Sequence, residues 1–331
     1  MRIHPDAVLS QGEDTLPCIP VVDHYAGSEN LMRKALAMQA AHAGNGMTSI
    51  DVTFDCEDGA SVGAEEAHAE LVAALIMTDE NRFARVGTRI HDVTHASWLE
   101  DLQQIVTVAG TRLAYVTLPK ARGVDDVRWV LSALRGIEQQ CNLIRKIPLH
   151  VLIETHGALH QVWDIAALEG VASLDFGLMD FVSVHHGAIA GRAMQSPGQF
   201  DHAVLHRAKT EIVAAALAHA VVPTHNVTIE LNDVAKIRED ARRARQEFGF
   251  MRMWSIHPNQ IEPILSAMQA DYSELVEANE VISTAQDTAW GPIQLRDRLY
   301  DRASYRYYWN LLKRAHATGC ELPSETRERF F

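Results

Sequence analysis

The chain contains 331 residues, of which 43 are acidic and 30 are basic, so its formal net charge is −13. This balance disfavours a nucleic-acid-binding protein, because affinity for nucleic acid depends on Lys and Arg side chains that neutralise phosphates. Apolar residues make up 47% and charged residues 22% of the chain, which is typical of a folded globular protein and excludes a disordered one.

The cysteines and the apolar segments indicate the cellular compartment. Cys18, Cys56, Cys141 and Cys320 are widely spaced, so the sequence predicts neither a zinc site nor a disulfide framework. The first residues contain no apolar signal segment, and the longest nearly apolar stretch, 212–223, is too short to span a bilayer. We expect a cytoplasmic protein with reduced thiols and no membrane partner.

Short apolar runs alternate with helical patterns along most of the chain, which is typical of a parallel sheet built from βα units. The predicted strands are 16–22, 49–54, 84–90, 114–118, 149–153, 172–176, 220–222 with 226–229, and 252–256. The predicted helices are 29–43 with Ser28 as its cap, 63–77, 97–108, 124–141, 158–168, 200–219, 232–248 and 259–270. Eight strands that are each followed by a helix favour a closed (β/α)8 TIM barrel, and an open doubly wound sheet is the alternative.

The βα rhythm stops near residue 270. We therefore predict a catalytic barrel over 1–270 and a C-terminal helical extension over 271–331, with helices at 272–287 and 304–315. The extension is rich in aromatic residues, namely Tyr300, Tyr305, Tyr307, Tyr308 and Trp309. Such an aromatic surface either packs on its own barrel or covers a neighbouring subunit.

Catalytic residues of a barrel lie where strands end and βα loops begin, so polar residues directly after each apolar run are the candidates. These are Asp55, Glu57, Asp58, Arg89, His91, Asp92, Lys120, Glu154, Thr155, Asp180, His225 and His257. Carboxylates and cations are thus expected to converge on one rim of the barrel.

Glu154 and Asp180 follow adjacent predicted strands, so their carboxylates can share one ion. Two carboxylates completed by water and substrate oxygens suit Mg²⁺ or Mn²⁺. The alternative is that each carboxylate caps a helix or pairs with Lys120 or Arg89. His156 and His160 have the spacing of a zinc pair, but the H-E-x-x-H order is absent and a helix surface explains them equally well.

Arg89 and Lys120 are the basic residues of the predicted rim. Either could bind a substrate carboxylate or an enolate oxygen. Alternatively, they serve only as ion-pair partners of the acidic loop at 55–58. Glycines that would form a Walker loop or a G-x-G-x-x-G turn are absent, so nucleotide binding lacks its usual motifs.

Six motifs, FDCEDGA, TRIHD, TLPKA, LIET, FGLMDF and SIHPNQI, occur in the order and spacing of a known enzyme family. Over residues 45–265 the chain resembles the citrate lyase β-subunit-like enzymes. These belong to the wider 4-hydroxy-2-oxo-acid aldolase and citrate lyase family, which includes malyl-CoA and β-methylmalyl-CoA lyases. The resemblance implies a barrel of the phosphoenolpyruvate/pyruvate type and a homo-oligomer, usually a trimer or hexamer.

The resemblance also implies roles for individual residues. Glu154 and Asp180 match the family's Mg²⁺ ligands. Asp55, Glu57 and Asp58 match its acidic loop, which supports the metal waters and the basic residues. Arg89 matches its substrate arginine, although His91 replaces the usual Asn.

Both ends of the chain are less similar to the family. A C-terminal Asp of CoA-dependent members, contributed by a neighbouring subunit, moves a proton at the acetyl-CoA methyl carbon; Asp301 is the candidate here and Asp297 the second choice. An N-cap role is the alternative for Asp301. The family's R-S-x-L-[FY]-V-P stretch is absent, which leaves Arg33 and Lys34 as the basic candidates for binding CoA.

The resemblance therefore implies a Mg²⁺-dependent carbon-carbon lyase that cleaves or forms a 3-hydroxyacyl-CoA-type thioester by retro-Claisen or aldol chemistry, with a citryl-CoA- or malyl-CoA-like substrate. The alternatives are a CoA-independent class II 2-oxo-acid aldolase and a malyl-CoA-type thioesterase. A catalytically silent scaffold barrel is the non-enzymatic alternative.

Overall fold

The computed structural model describes residues 3–9, 16–44 and 46–331. The chain folds into two compact units. One unit is Pro20–Met268, and the other combines the described residues up to Ile19 with Gln269–Phe331. The predicted division placed the N-terminal segment in the barrel, whereas here its described residues group with the C-terminal unit.

The described residues of Pro20–Met268 form a closed barrel of eight parallel strands in sequential order, with β1 pairing to both β2 and β8. The strands are β1 (Val22–Ala26), β2 (Ile50–Asp55), β3 (Val86–Arg89), β4 (Leu113–Leu118), β5 (Leu149–Ile153), β6 (Val171–Phe176), β7 (Val222–His225) and β8 (Arg252–Ser255). The predicted (β/α)8 barrel is confirmed, and the open-sheet alternative is wrong.

Helices connect successive strands of the barrel. Their bounds are Glu29–Ala41, Glu65–Met77, Trp98–Ala109, Val124–Gln140, His156–His160, Val162–Ala166, Leu178–Ser183, Gly198–Asp201, Ala203–Ala218, Val234–Arg243 and Ile261–Met268. The predicted helix at 158–168 is instead two short helices that meet at Gln161. Ser28 occupies the N-cap position of the first of these connecting helices, but its side chain makes no capping hydrogen bond.

Two strands lie away from their predicted positions. The segment 16–22 contains Pro17 and Pro20, which lack the N–H that a sheet ladder needs, and the strand begins only at Val22. The seventh strand is Val222–His225, which begins at the last residue of the first predicted piece and ends before the second. Both observed strands contain buried polar residues, so a search for apolar runs does not find them.

The two faces of the strands differ in polarity. In β2, Val52 and Phe54 belong to the large apolar core that packs between barrel and helices. Thr53, between them, donates a hydrogen bond to Asp23 Oδ1 at 2.7 Å inside the barrel and lies 2.7 Å from the Tyr115 hydroxyl. Because successive side chains of a strand point to opposite faces, polar residues at alternate positions fill the barrel interior.

The other unit contains the helices Pro5–Leu9, Tyr272–Asp287, Arg302–Ala317 and Ser324–Phe330 and an antiparallel hairpin of β9 (Ile293–Leu295) and β10 (Arg298–Tyr300). Tyr305 and Trp309 are buried in this unit's own apolar core, whereas Tyr307 is 60% exposed. Across the described chain, every helix is too short or too polar to cross a lipid bilayer.

Candidate active site

Polar side chains from five neighbouring strands meet at the carboxyl-terminal rim of the barrel. Asp55 ends β2 and Arg89 ends β3, while Lys120, Glu154 and Asp180 follow β4, β5 and β6. In a (β/α)8 barrel this rim is where catalytic residues lie.

Arg89 is held by the acidic loop after β2. Its Nε and Nη2 donate to the two carboxylate oxygens of Asp55 at 2.7 and 2.5 Å, and its Nη1 lies 3.0 Å from Glu57 Oε2. Burial by itself would raise the pKa of Asp55, but Arg89 and the backbone N–H groups of Glu57 and Gly59 hold that pKa below its ordinary value. Since a guanidinium has five N–H groups, Arg89 keeps donors for a further oxygen while its orientation is fixed.

Lys120 connects the acidic loop to the other two carboxylates. Its ammonium donates to Glu57 and, at 3.1 Å, to both carboxylate oxygens of Asp58, and it lies 4.0 Å from Asp180 Oδ1. Its backbone N–H donates to Glu154 Oε1 at 2.6 Å. Burial would lower the pKa of Lys120, but Glu57, Asp58 and Asp180 raise that pKa above its ordinary value, so the side chain is a cation.

Glu154 is only 2% exposed, and burial together with the neighbouring charge of Asp180 raises its pKa to about 8. The backbone of Gly177 lies against this carboxylate, since a Cβ at that position would be 2.0 Å from Glu154 Oε2. Only glycine fits this close approach. Asp180 is more open, with 38% of its side chain exposed, and lies in the first turn of the helix Leu178–Ser183.

The donor set of Glu154 and Asp180 fits a hard divalent cation. Both side chains offer carboxylate oxygens, which Mg²⁺ prefers, and the open position of Asp180 leaves room for water or substrate oxygens. A divalent ion would also offset the burial of Glu154 and the repulsion between the two carboxylates. These two residues are therefore the ones that would hold Mg²⁺ or Mn²⁺.

The rim histidines make local contacts. His91 Nδ1 lies 2.6 Å from Oδ2 of the buried Asp101, which also accepts the backbone N–H of His91. His156 Nε2 lies 3.2 Å from the carbonyl oxygen of Val184. Within the described residues, neither His156 nor His160 belongs to a group of three candidate metal ligands, which leaves the zinc alternative without a third ligand.

The remaining predicted site residues make other contacts. Asp301 caps the helix Arg302–Ala317, since its Oδ1 accepts the N–H of Ala303 at 2.9 Å. Asp297 lies in the turn between β9 and β10 with φ 62°. Arg33 is exposed and pairs with Glu29 and Glu80, each at 3.0 Å or less.

The predicted family is decided by comparison with known proteins. Residues 30–258 match the HpcH/HpaI aldolase/citrate lyase family. The chain therefore belongs to the HpcH/HpaI aldolase/citrate lyase family. The resemblance predicted from the motifs is thus confirmed.

Individual members of the HpcH/HpaI family cover most of the chain. The L-malyl-CoA/β-methylmalyl-CoA lyase of Cereibacter sphaeroides is 25% identical over 275 residues, which span 77% of this chain and 84% of that enzyme. The crystal structure of a citrate lyase from Burkholderia xenovorans LB400 has a TM-score of 0.88 and 48% identity, and the match covers 99% of this chain and 100% of that one.

A more distant solved structure shares the fold. It is the CitE protein of Mycobacterium tuberculosis in complex with magnesium, acetoacetate and coenzyme A. It has a TM-score of 0.67 and 21% identity, and the match covers 90% of this chain and 98% of that one.

Two features of this HpcH/HpaI barrel were missed by sequence reasoning. Gly177 belongs to no glycine motif in the sequence, yet its backbone lies so close to the Glu154 carboxylate that a Cβ would be 2.0 Å from Oε2. The buried polar residues Asp23, His150 and Asp175 were also missed. The spacing could have indicated His150, because it lies four residues before Glu154. Side chains an even number of residues apart on a strand point to the same face.

Proposed function

We propose that this protein is a Mg²⁺-dependent carbon-carbon lyase that cleaves or forms a 3-hydroxyacyl-CoA-type thioester of the malyl-CoA or citryl-CoA kind. The observation that carries the proposal is the rim group in which Lys120 contacts Glu57, approaches Asp180 and donates its backbone N–H to Glu154. The names of the relatives, a malyl-CoA/β-methylmalyl-CoA lyase and a citrate lyase, support the substrate class.

Glu154 and Asp180 would hold the metal. When bound there, Mg²⁺ supplies a Lewis acid and a template for the oxygens of a 2-hydroxy or 2-oxo acid. Glu154 is oriented by the backbone N–H of Lys120, and its side chain is buried. Lys120 balances the charge of the acidic loop while it lies close to Asp180.

Arg89 is assigned to the oxygen on which negative charge develops. When the carbon-carbon bond breaks, the hydroxyl group of the substrate loses its proton and becomes a carbonyl, and the electron pair of the broken bond passes to an enolate whose oxygen needs a donor. The orientation of Arg89 is fixed by Asp55 before substrate arrives, so little reorganisation is needed during the reaction. Such an interaction accelerates the reaction only to the extent that it is stronger in the transition state than in the ground state.

Asp301 is assigned to the proton that the enolate carbon takes up or loses. The carboxylate is exposed and also caps its own helix, so a simple deletion would confuse the two roles. Asn caps helices about as well as Asp but cannot transfer the proton. Asp301→Asn should therefore keep the melting temperature and lose turnover, whereas Asp301→Ala should lose both; full turnover in Asp301→Asn would leave only the capping role.

Arg33 and Lys34 are assigned to the phosphates of CoA. Both side chains are exposed on the helix Glu29–Ala41, and Arg33 must exchange its pairs with Glu29 and Glu80 for phosphate. Alanine at either position should raise the KM for a CoA thioester without changing Mg²⁺ affinity. We further propose a trimer or hexamer, which light scattering of the purified protein would measure.

The metal assignment is tested by Glu154→Gln and Asp180→Asn. Each should lower Mg²⁺-dependent turnover of malyl-CoA at least about a hundredfold, because metal chemistry contributes several kcal/mol to such barriers. Calorimetry should show the matching loss of Mg²⁺ binding, while circular dichroism shows an intact barrel. Glu169→Gln removes an exposed carboxylate that pairs with Lys146 at 2.9 Å, and should change neither quantity.

The substrate class is tested separately by offering malyl-CoA-like thioesters and free 4-hydroxy-2-oxo acids to the wild-type protein with Mg²⁺. We expect carbon-carbon cleavage of the thioester to give acetyl-CoA. Release of free CoA with intact malate would identify a thioesterase, and turnover of the free acid alone would identify a CoA-independent aldolase. No Mg²⁺ and no acyl-CoA binding by calorimetry would indicate a scaffold.

A further inference from the structure

A second group of candidate ligands lies inside the barrel. Asp23 of β1, His150 of β5 and Asp175 of β6 each offer one ligand atom, and these three atoms lie within 4.8 Å of one another. All three side chains are fully buried, with 0% exposure. The function proposed for the rim does not use any of them.

Several polar atoms in this group lack hydrogen-bond partners among the described residues. They are both ring nitrogens of His150 and the Oδ2 atoms of Asp23 and Asp175. Asp23 Oδ2 lies 2.8 Å from Arg252 Nη2, an ion pair without the alignment of a hydrogen bond. Because buried polar atoms are nearly always satisfied, these unpartnered atoms indicate a missing ligand.

The ring of His150 is held in place by its neighbour. It stacks on Tyr115 with ring centroids 3.9 Å apart and an interplanar angle of 10°. Tyr115 in turn lies against Gly87, where a Cβ would be 2.2 Å from the tyrosine ring. The imidazole therefore has little freedom to turn toward another partner, and its orientation towards the two carboxylates is fixed by packing.

The charges around the group do not balance. Asp23, Asp51 and Asp175 contribute three carboxylates, and Arg85 and Arg252 contribute two guanidinium groups. Asp51 takes up much of this positive charge, because Arg85 contacts it at 2.7 Å and Arg252 at 2.9 Å. With all three carboxylates ionised, one negative charge would lack a partner in a buried place; burial accordingly raises the pKa of Asp23 above its ordinary value and that of Asp175 to about 7, and a bound cation would oppose this effect.

A layer of two aromatic side chains and one leucine lies between this group and the rim. Tyr25, Leu152 and Trp254 form a small buried cluster, with Tyr25 and Trp254 stacked at 4.7 Å. Tyr25 lies two residues after Asp23 on β1, and Leu152 lies two residues after His150 on β5. The layer is therefore nearer than the interior group to the carboxyl ends of the strands. Glu154 lies two residues after Leu152, still nearer the carboxyl ends. The interior group and the rim are therefore distinct sites.

We propose that the barrel interior binds one transition-metal cation of the Zn²⁺ type, with Asp23, His150 and Asp175 as its ligands. A neutral imidazole nitrogen with two carboxylate oxygens is a donor set that suits Zn²⁺, whereas the rim offers only oxygen donors and suits Mg²⁺. The ion supplies positive charge to the two buried ligand carboxylates and joins strands β1, β5 and β6 across the barrel.

The test uses the full-length protein expressed in zinc-supplemented medium and dialysed against EDTA, with zinc measured by mass spectrometry. Wild type should retain one zinc per chain, because the site is sealed from solvent. His150→Phe, which keeps the stacking on Tyr115, should retain none. Glu154→Gln alters the rim only and should retain the full equivalent.

Diffraction from wild-type crystals at the zinc absorption edge gives an answer that does not depend on any variant folding. An anomalous peak between Asp23, His150 and Asp175 supports the proposal. No retained zinc in wild type, unchanged zinc in His150→Phe, or a water molecule without anomalous signal at this position overturns it. Lyase activity is not a readout, so these results leave the proposed function of the rim untouched.

Discussion

At the scale of single residues, Lys120 combines a charge with an unusual backbone. Its φ is +49°, in the left-handed region that side chains other than glycine rarely adopt. This conformation accompanies the hydrogen bond from its N–H to Glu154 Oε1 at 2.6 Å, while its ammonium contacts Glu57 and Asp58. Strained backbone of this kind is found at functional sites, where surrounding contacts hold it in place.

The two contributions of Lys120 can be separated by substitution. Lys120→Ala and Lys120→Gly both remove the ammonium, but only glycine also removes the left-handed strain. The free energy of unfolding of Lys120→Gly should therefore be about 0.5–1 kcal/mol higher than that of Lys120→Ala, so the glycine variant is the more stable one. Chemical denaturation measures this difference. Turnover should be lost equally in both, and restored turnover in Lys120→Gly would show that the ammonium is dispensable.

Gly177 is predicted to control the position of Glu154. In Gly177→Ala the new Cβ would be 2.0 Å from Glu154 Oε2, so the carboxylate must move. Mg²⁺ affinity, measured by calorimetry, should fall about 10–100-fold, as it does when groups that orient metal ligands are lost. Gly136→Ala is the matched control, because a Cβ there meets no atom within 4 Å. Equal Mg²⁺ affinity in both variants would contradict this account.

At the scale of elements, the helix Ala203–Ala218 packs a lysine against the sheet. Lys209 is fully buried, its Nζ lies 2.5 Å from His225 Nε2 on β7, and it faces the ring of Phe200 at 4.2 Å. Burial lowers the pKa of Lys209 well below its ordinary value, despite the attraction of Asp240. The folded protein therefore binds a proton at this amine less tightly than the unfolded chain does.

This difference makes stability depend on pH. The unfolded chain binds a proton at Lys209 below a pKa of about 10.4, so the free energy of unfolding rises with pH by up to about 1.4 kcal/mol per unit. Lys209→Met removes that contribution. Between about pH 7.5 and about pH 9.5, the free energy of unfolding of wild type should therefore rise relative to that of Lys209→Met. Denaturant unfolding at several pH values measures it, and parallel pH profiles would show that Lys209 stays charged.

At the scale of the whole molecule, segments from opposite ends of the chain form one unit. Trp309 Nε1 donates to Asp6 Oδ1 at 2.7 Å, and Gln286 donates to the carbonyl oxygen of Ile3 at 3.0 Å. Leu9 is 4% exposed and belongs to the apolar core of this unit. The N-terminal segment thus stabilises the helices of the C-terminal unit.

Leu9→Ala should weaken that unit selectively. Removing this buried side chain should cost about 2–5 kcal/mol of local stability. Hydrogen exchange should become faster in Tyr272–Asp287 and Arg302–Ala317 and stay unchanged in strands β1–β8. Asp6→Asn keeps an oxygen acceptor for Trp309 and serves as the control. Uniformly faster exchange over the whole chain would show that the two units unfold together.

The sequence was sufficient for the barrel and for the composition of the rim. Apolar β-branched runs at regular spacing predicted six of the eight strands closely, because the outward faces of those strands bury Val, Ile, Leu and Phe against helices. The order of polar residues after these runs placed Arg89, Lys120 and Glu154 together, because parallel strands bring their carboxyl ends to one edge.

Only the tertiary structure decided how these residues are paired and what fills the barrel. The contact of Gly177 with Glu154 and the grouping of Asp23, His150 and Asp175 join strands that are distant in sequence, and local periodicity does not specify such distances. The first and seventh strands were predicted at shifted positions because they contain polar residues. These residues are buried only when the barrel closes around them. Local sequence therefore determined the outer, apolar layer, whereas closure of the sheet determined the polar interior.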